Sequence, residues 1–333
     1  MTDHKRPTSF DVARVAGVSR SAVSRAFTPG ASINAQTREK IIAAAQDIGY
    51  RVNTLARNLQ TQESQLVAVL ASRMDSPVRA RQVKLLTHAL IKEGYRPLLL
   101  TAESASDVPR LLSSMLDYCL SGMIVTSDSP PDALIEECAK LQVPVVLINR
   151  DPSLAGGDRV QIDPKAAGHL AFDTLRAAGV QRFAAILPQD KTYSVAGRVL
   201  AFQAAALHAG FDCVLIPSEG QSYDAGRQAV IKHWDQISHC DGIFGATDLA
   251  TCGVLDALRH DLGRSVPSDI QVLGFDDIEQ ASWGSYNMSS IKQDLEGQVS
   301  MAVAAMRQRL TDPDTPASLQ YQTLTPVLRG TTK

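Results

Sequence analysis

Arg20, Ser21 and Arg25 lie within the stretch DVARVAGVSRSAVSRAF, residues 11–27. If Val23 and Phe27 face a core, helical spacing turns these three outward. A guanidinium can bridge O6 and N7 of guanine, a pairing worth about 1–3 kcal/mol of discrimination against the wrong base. Thr8, Ser19, Ser24 and helix amino termini suit phosphate contacts, which position a protein on a duplex without reading sequence. A second set of polar residues follows apolar runs farther along the chain. Arg73 and Asp75 follow LVAVLA, Ser127 follows GMIVT, Asn149 and Arg150 end VVLIN, Thr247 and Asp248 follow GIFGA, and Asp276 ends VLGF. Arg198 opens a helical segment after AAILP. Carboxylates, amides and guanidinium groups of this kind suit a ligand with several hydroxyls.

The first set needs a small helical unit to hold it. Thr8 precedes Asp11 by three residues, a capping-box spacing, so a first helix is expected from near Ser9 to Ala16, with Gly17 ending it. Ser19 caps a second helix reaching about Phe27, and Asn34 caps a third reaching about Ile48. Val12, Val15, Val18, Val23 and Phe27, with Ile41, Ile42, Ala45 and Ile48, are the expected core. This pattern reads as a helix-turn-helix whose second helix enters a major groove. Residues 53–60, NTLARNLQ, allow two more helical turns, too short to persist alone.

From Leu66 onward, apolar strand-like runs alternate with helical segments. The runs begin near residues 66, 96, 122, 143, 159, 182, 211, 241 and 270. Near-continuous apolar strands between helices indicate parallel sheets covered on both faces, and their number indicates two doubly wound sheets. In such sheets ligands sit outside the carboxyl ends of the strands, where the second polar set falls.

Charge separates the same two regions. Residues 1–60 hold nine Lys/Arg against four acids, +5, while the whole chain is −2, leaving −7 on the remaining 273 residues. A basic head on an acidic body implies that the head meets a polyanion. No run of about 18 apolar residues is present, so no membrane helix is expected. Met1–Arg6 is polar and leads into no signal core, so a cytoplasmic location is expected. Five scattered cysteines without paired spacing argue against a disulfide framework or a zinc site, and no cofactor is expected. No phosphate-binding GxxxxGK[ST] or nucleophile GxSxG occurs, and Ser289-x-x-Lys292 stands without companion motifs.

The head sequence, from SFDVARVAGVSRSAVSRAF through TREKI, closely resembles the lactose-repressor family of bacterial transcription regulators. PVVLINRD, GRVLAFQAAALHAGF, GATDLATCGVLDAL, VPSDIQVLGFDD and SSIKQD extend the resemblance over nearly the whole chain. It implies a helix-turn-helix domain at 1–50, a hinge helix and linker at 51–65, and a two-lobed domain at 66–333. That domain would resemble periplasmic sugar-binding proteins, bind the effector and dimerise. Arg20, Ser21 and Arg25 match base-reading positions; Thr8, Ser19, Ser24, Ser32 and Asn34 match phosphate-contacting ones. Asn53 to Gln60, including Arg57, match the hinge helix, and Leu59 matches a leucine wedged into the minor groove. Asn149, Arg198 and Asp276 match positions that hold sugar hydroxyls. Trp283 could cover a sugar face, and Arg73, Arg150 and Arg198 together would favour an anionic ligand such as a sugar acid or sugar phosphate. Ala201 stands where the family usually has glycine, and Thr247 where it often has asparagine. The expected protein is a homodimeric repressor that binds a near-palindromic operator under control of a sugar-like effector. The alternative is a sugar-binding receptor or carbohydrate-related enzyme on the same two-lobed fold.

Overall fold

The computed structural model describes residues 7–28, 30–51, 64–101, 107, 110–111, 118, 120–126, 132–151, 157–189 and 192–333. The chain divides into two compact units, Met1–Ser64 and Gln65–Lys333.

In the first unit, α1 (Ser9–Ala16), α2 (Arg20–Ala26) and α3 (Ala35–Asp47) form where their caps place them. The Thr8 backbone N–H and hydroxyl both donate to the Asp11 carboxylate, at 2.9 and 2.8 Å. Gly17 takes φ 61°, a left-handed conformation that ends α1. Ser19 accepts from the Ala22 amide and Asn34 from the Gln36 amide, capping α2 and α3. Val12, Ala16, Val23, Ala26, Ile41, Ala44 and Ala45 form the core, with Val18, Phe27, Ile33, Ile48 and Tyr50 packed against it. Two expected core residues are outside it: Val15 is 49% exposed and Ile42 37%. Each is offset by one residue from a buried neighbour, about 100° around the helix, and the narrow core of three short helices does not reach that far.

The second unit holds two six-stranded sheets. The first has order β11-β5-β4-β3-β1-β2, with β1 (Leu66–Ala71), β2 (Arg96–Thr101), β3 (Gly122–Val125), β4 (Val145–Ile148), β5 (Asp158–Gln161) and β11 (Leu319–Tyr321). The second has order β12-β10-β9-β8-β6-β7, with β6 (Phe183–Pro188), β7 (Cys213–Ser218), β8 (Gly242–Gly245), β9 (Gln271–Asp276), β10 (Ser289–Gln293) and β12 (Leu324–Val327). All pairings are parallel except β10 with β12. Among the described residues its α-helices of eight or more residues are α4 (Pro77–Lys92), α5 (Asp132–Lys140), α6 (Pro164–Ala177), α7 (Tyr193–His208), α8 (Tyr223–Lys232), α9 (Asp248–Asp256) and α10 (Leu295–Thr311).

Three segments cross between the sheets: β5 to α6, β10 to α10, and β11 to β12. The strand β10 forms where the segment around Ser289 to Lys292 reads as strand-like, whereas the helix α10 and the short strands β11 and β12 are not among the expected elements. α10 packs on the first sheet through Val299, Ala302, Val303 and Met306, which join its core. The departure at Ala201 is absorbed locally. On the facing helix a Cβ at Gly168 would stand 2.6 Å from the Ala201 methyl and 2.5 Å from the Phe202 amide nitrogen, so only glycine fits opposite this alanine.

Candidate functional site

Among the DNA-facing candidates of the described head, Thr8, Ser19, Arg20, Ser21, Ser24, Arg25, Ser32 and Asn34 are all exposed. Their surroundings differ. The Arg20 guanidinium lies 3.8 Å from the centroid of the Phe10 ring, which is itself 60% exposed. Arg25 Nε donates weakly to the Ser21 carbonyl at 3.4 Å, one turn back along α2. The Ser21 and Ser19 hydroxyls share a 2.9 Å hydrogen bond. The Thr8 hydroxyl proton is taken by Asp11, so its oxygen is left as an acceptor only. That pairing and the backbone donation from Thr8 hold the Asp11 carboxyl below its usual range. Asn53, Arg57 and Leu59 lie outside the described residues.

In the body, a cavity opens at the carboxyl ends of both sheets. The first sheet and its helix bring Ser72, Arg73, Ser76, Val78, Arg79, Gln82 and Asn149 to it. The second brings Thr192, Ser194, Val195, Arg198, Gln221, Thr247 and Asp276, and the β10–α10 crossing adds Gln293 and Leu295. Five of the sequence candidates therefore meet here: Arg73, Asn149, Arg198, Thr247 and Asp276.

Arg198 is 2% exposed. Its Nε donates to the Ala246 carbonyl at 3.0 Å, Nη2 donates to the same oxygen, and its plane stacks 3.8 Å from the Phe275 ring centroid. Nη2 also stands 3.8 Å from the Asp276 carboxylate. Burial lowers the Arg198 pKa to about 10, still charged at neutral pH. Asp276 accepts from the Gln293 amide at 2.5 Å, and its own backbone has φ 124°. Burial raises its carboxyl, while the Arg198 charge pulls it back. Asn149, at φ 55°, accepts from the Ile162 amide through Oδ1 at 2.8 Å, so its side-chain NH2 is the end left for a ligand.

The other body candidates sit elsewhere. Asp248 is fully buried and does not line the cavity. Its carboxylate accepts from the Ile278 amide (2.9 Å) and the Ser290 hydroxyl (2.8 Å), and Ser290 Oγ accepts from the Asp277 amide (3.1 Å). Asp248 thus fastens the turn that carries Asp276. Arg150 is buried, Asp75 is exposed and Trp283 is 49% exposed, and none of the three is among the residues that line the cavity. Ser127 lies outside the described residues.

The lining also holds residues that the strand-end reading missed: Arg79, Gln82 and Gln293 among them. Arg79 Nη1 donates to Gln82 at 2.6 Å, and Gln82 donates to Gln298 of α10. Gln293 accepts from Gln322, whose backbone N–H donates to the Gln161 carbonyl at 2.9 Å. Asp276 is therefore tied through glutamines to all three crossings between the sheets. Arg79 had one legible sign. It sits in the first turn of α4, where a cation opposes the helix dipole and local stability gives no reason for it.

Residues 10–53 match the model of the lacI family of bacterial regulatory proteins, and residues 172–332 match a periplasmic binding protein-like domain. The regulator CelR of Thermobifida fusca is 31% identical over 306 residues, 89% of each chain. The chain belongs to the lacI family of bacterial regulatory proteins. As a family member it is a DNA-binding transcriptional regulator with a two-lobed sensor. The ribose operon repressor of Escherichia coli K12 is 27% identical over 332 residues, 96% of this chain and 98% of that one. Among solved structures, a CelR–cellobiose complex is 27% identical, with TM-score 0.73, and covers 98% of this chain and 100% of that one. A lac repressor dimer bound to operator and an anti-inducer, 23% identical, shares the fold at TM-score 0.87 over 98% of this chain and 99% of that one. Among the described residues no helix is long and apolar enough to cross a membrane, and no cluster of metal-ligand residues occurs.

Proposed function

We propose that this regulator is a cytoplasmic homodimeric repressor. It reads a near-palindromic operator with two copies of α2, and a small polyhydroxylated effector in the body cavity sets its hold on that operator. The observation that carries the reading is the cavity itself: polar side chains from both sheets and from a crossing segment converge on one space. A ligand held by both walls changes their relative position, and it shifts DNA affinity by as much as its affinity differs between the two arrangements, typically about 1–3 kcal/mol. The relatives support the effector class, since one solved relative is a cellobiose complex and others are sugar-operon repressors.

Arg20 and Arg25 are the proposed base readers. Ser19, Ser24, Ser32 and Asn34 are proposed to face phosphates, as would Thr8 only by exchanging the donors that Asp11 now takes, and Asn53, Arg57 and Leu59 to act at the minor groove. Arg73, Asn149, Arg198, Thr247 and Asp276 are the proposed effector contacts. Exposed Ile91 on α4 and Leu99 on the edge strand β2 offer apolar surface for a second copy to cover. The chain works by binding, without catalysis. Ser289 is buried and bonded to Arg329 and Thr332, and Lys292 is exposed, which supports leaving that Ser/Lys pair without a catalytic role.

A gel shift with DNA from upstream of the chain's own gene, run at fixed salt with and without a panel of sugars, tests the reading. The expected result is retention of that fragment over an unrelated one, changed by at least one sugar. Equal retention of both fragments under every condition would overturn it.

A further inference from the structure

Resting on the effector reading above, the crossings between the two sheets single out a residue that ties the cavity to both of them. Each crossing carries a buried glutamine: Gln161 ends β5, Gln293 ends β10 and Gln322 follows β11. Gln322 is anchored at both ends. Its backbone N–H donates to the Gln161 carbonyl at 2.9 Å, which extends the β5–β11 pairing of the first sheet. Its side-chain NH2 donates to the Gln293 Oε1 at 3.0 Å, on the last residue of β10 in the second sheet. The next residue, Thr323, already gives its carbonyl to the Asp294 amide beside the β10–β12 pairing. Gln322 therefore spans the point where the chain changes sheet.

These side-chain hydrogen bonds run in one direction. Because Gln322 occupies the Gln293 oxygen, the Gln293 NH2 faces Asp276 and donates to its carboxylate at 2.5 Å. An amide turned the other way would set oxygen against carboxylate, two acceptors with no proton between them. Gln322 itself does not line the cavity. It is 6% exposed, and its own Oε1 is buried with no hydrogen-bond partner among the described residues. A buried amide left half satisfied costs stability, and an apolar side chain would fill the crossing without that cost. A change in the angle between the sheets moves the two anchors of Gln322 relative to each other, and the bond to Gln293 weakens as its length and angle depart from ideal. Gln293 is then free to turn, and Asp276 loses its fixed donor.

We propose that Gln322 is a positioning residue that couples the arrangement of the two sheets to the hydroxyl-accepting state of Asp276, acting through the Gln293 amide. An effector held by Asp276 favours the arrangement in which this relay is closed, and the closed relay favours the effector by the same factor. The charges acting on Asp276 come from Arg198 on α7, Arg79 on α4 and Asp248 on α9, and a substitution at Gln322 leaves all three in the chain.

Denaturant unfolding of the body in the full chain, at pH 7.5 and 5.5, tests this with Gln322→Met, which keeps the length of the side chain and removes its donor. Gln322→Leu serves the same purpose should the methionine variant fail to fold. Ionised Asp276 needs the Gln293 donor, whereas protonated Asp276 supplies its own proton to the Gln293 oxygen, and burial already raises this carboxyl. The expected result is a shift of the unfolding equilibrium that is at least threefold larger at pH 7.5 than at pH 5.5. That difference should vanish when Asp276→Asn is also present, and Gln293→Met should reproduce it. A smaller difference, or one that persists with Asp276→Asn, marks a merely structural crossing and overturns the proposal. Retention of the upstream DNA fragment by the effector-free chain is the second readout, since the sheet arrangement sets the hold of the head. Gln322→Met should change it at least threefold at pH 7.5, and a smaller change would overturn the coupling. If the unsubstituted chain retains no fragment, the effector-controlled repressor reading falls, and the unfolding cycle decides the relay by itself.

Discussion

The head and the body place their working side chains in opposite environments. On α2, Arg20, Ser21 and Arg25 are exposed and come from six consecutive residues, with support from Phe10 and Ser19 close by in sequence. In the body cavity, Arg198 and Asp276 are buried and lie 78 positions apart, and Gln322, Gln293 and Gln161 connect them to distant strands. An exposed arginine keeps its hydration until DNA displaces it, so removing it costs binding and leaves the fold intact. A buried arginine is already committed to protein partners, so removing it costs the fold as well as the ligand.

The largest effect expected from this contrast is at Arg198. Arg198→Ala leaves Asp276 buried without its counter-charge and should destabilise the body by about 3–5 kcal/mol. Denaturant unfolding monitored in the body checks this, and a change under 1 kcal/mol would break the contrast. Next come Arg20→Ala and Arg25→Ala. Each should weaken specific operator binding by about 1–3 kcal/mol, while unfolding of either unit shifts by no more than about 0.5 kcal/mol. Competition binding at constant salt, paired with melting curves, measures both halves of that statement.

A smaller effect is expected from pH. Burial raises the carboxyls of Asp248 and Asp276 above their unfolded range. Their contribution to stability is therefore fully present at low pH and is lost as pH rises through the raised values. Between pH ~7.5 and ~5.5, above the ordinary carboxylate range, acidification should stabilise the body by roughly 1 kcal/mol. Asp248→Asn should flatten this dependence, as followed by unfolding midpoints across the interval. Smallest is Phe10→Ala, which removes the ring beneath Arg20. A loss of about 0.5–1 kcal/mol in specific binding is expected, with Phe10→Tyr near neutral. A full tenfold loss in both variants would point to a direct DNA contact by Phe10 instead.

The two regions also differed in how legible they were. Head helix boundaries followed from Thr8, Gly17, Ser19 and Asn34, because caps act within one turn of the residue that makes them. Val15 and Ile42 were misplaced because alternation alone does not say how wide a small core is. In the body, the strands of both parallel sheets were visible as apolar runs, whereas β11 and β12 are three and four residues long and half exposed. Polar residues at strand ends located the cavity but not its membership. Asp248 and Thr247 are adjacent, yet one bonds beneath the Asp276 turn and the other faces the cavity. Which way each points is decided by Ser290 and Ile278, some thirty to forty residues away. Arg150 carries the same charge as Arg73 and Arg198 but is buried and not among the lining residues, whereas Arg79 is among them because α4 starts at the cavity edge.

The central claim is that the head grips an inverted-repeat duplex and that occupancy of the body cavity controls the grip. Selection of the full chain against a random duplex library, repeated with each member of the sugar and sugar-acid panel, tests it most directly. The expected result is enrichment of an inverted repeat whose occupancy changes at least tenfold with one panel member, and loss of that enrichment in the Arg20→Ala/Arg25→Ala double variant. Enrichment of no repeat under any condition, or an unchanged profile in the double variant, would contradict it.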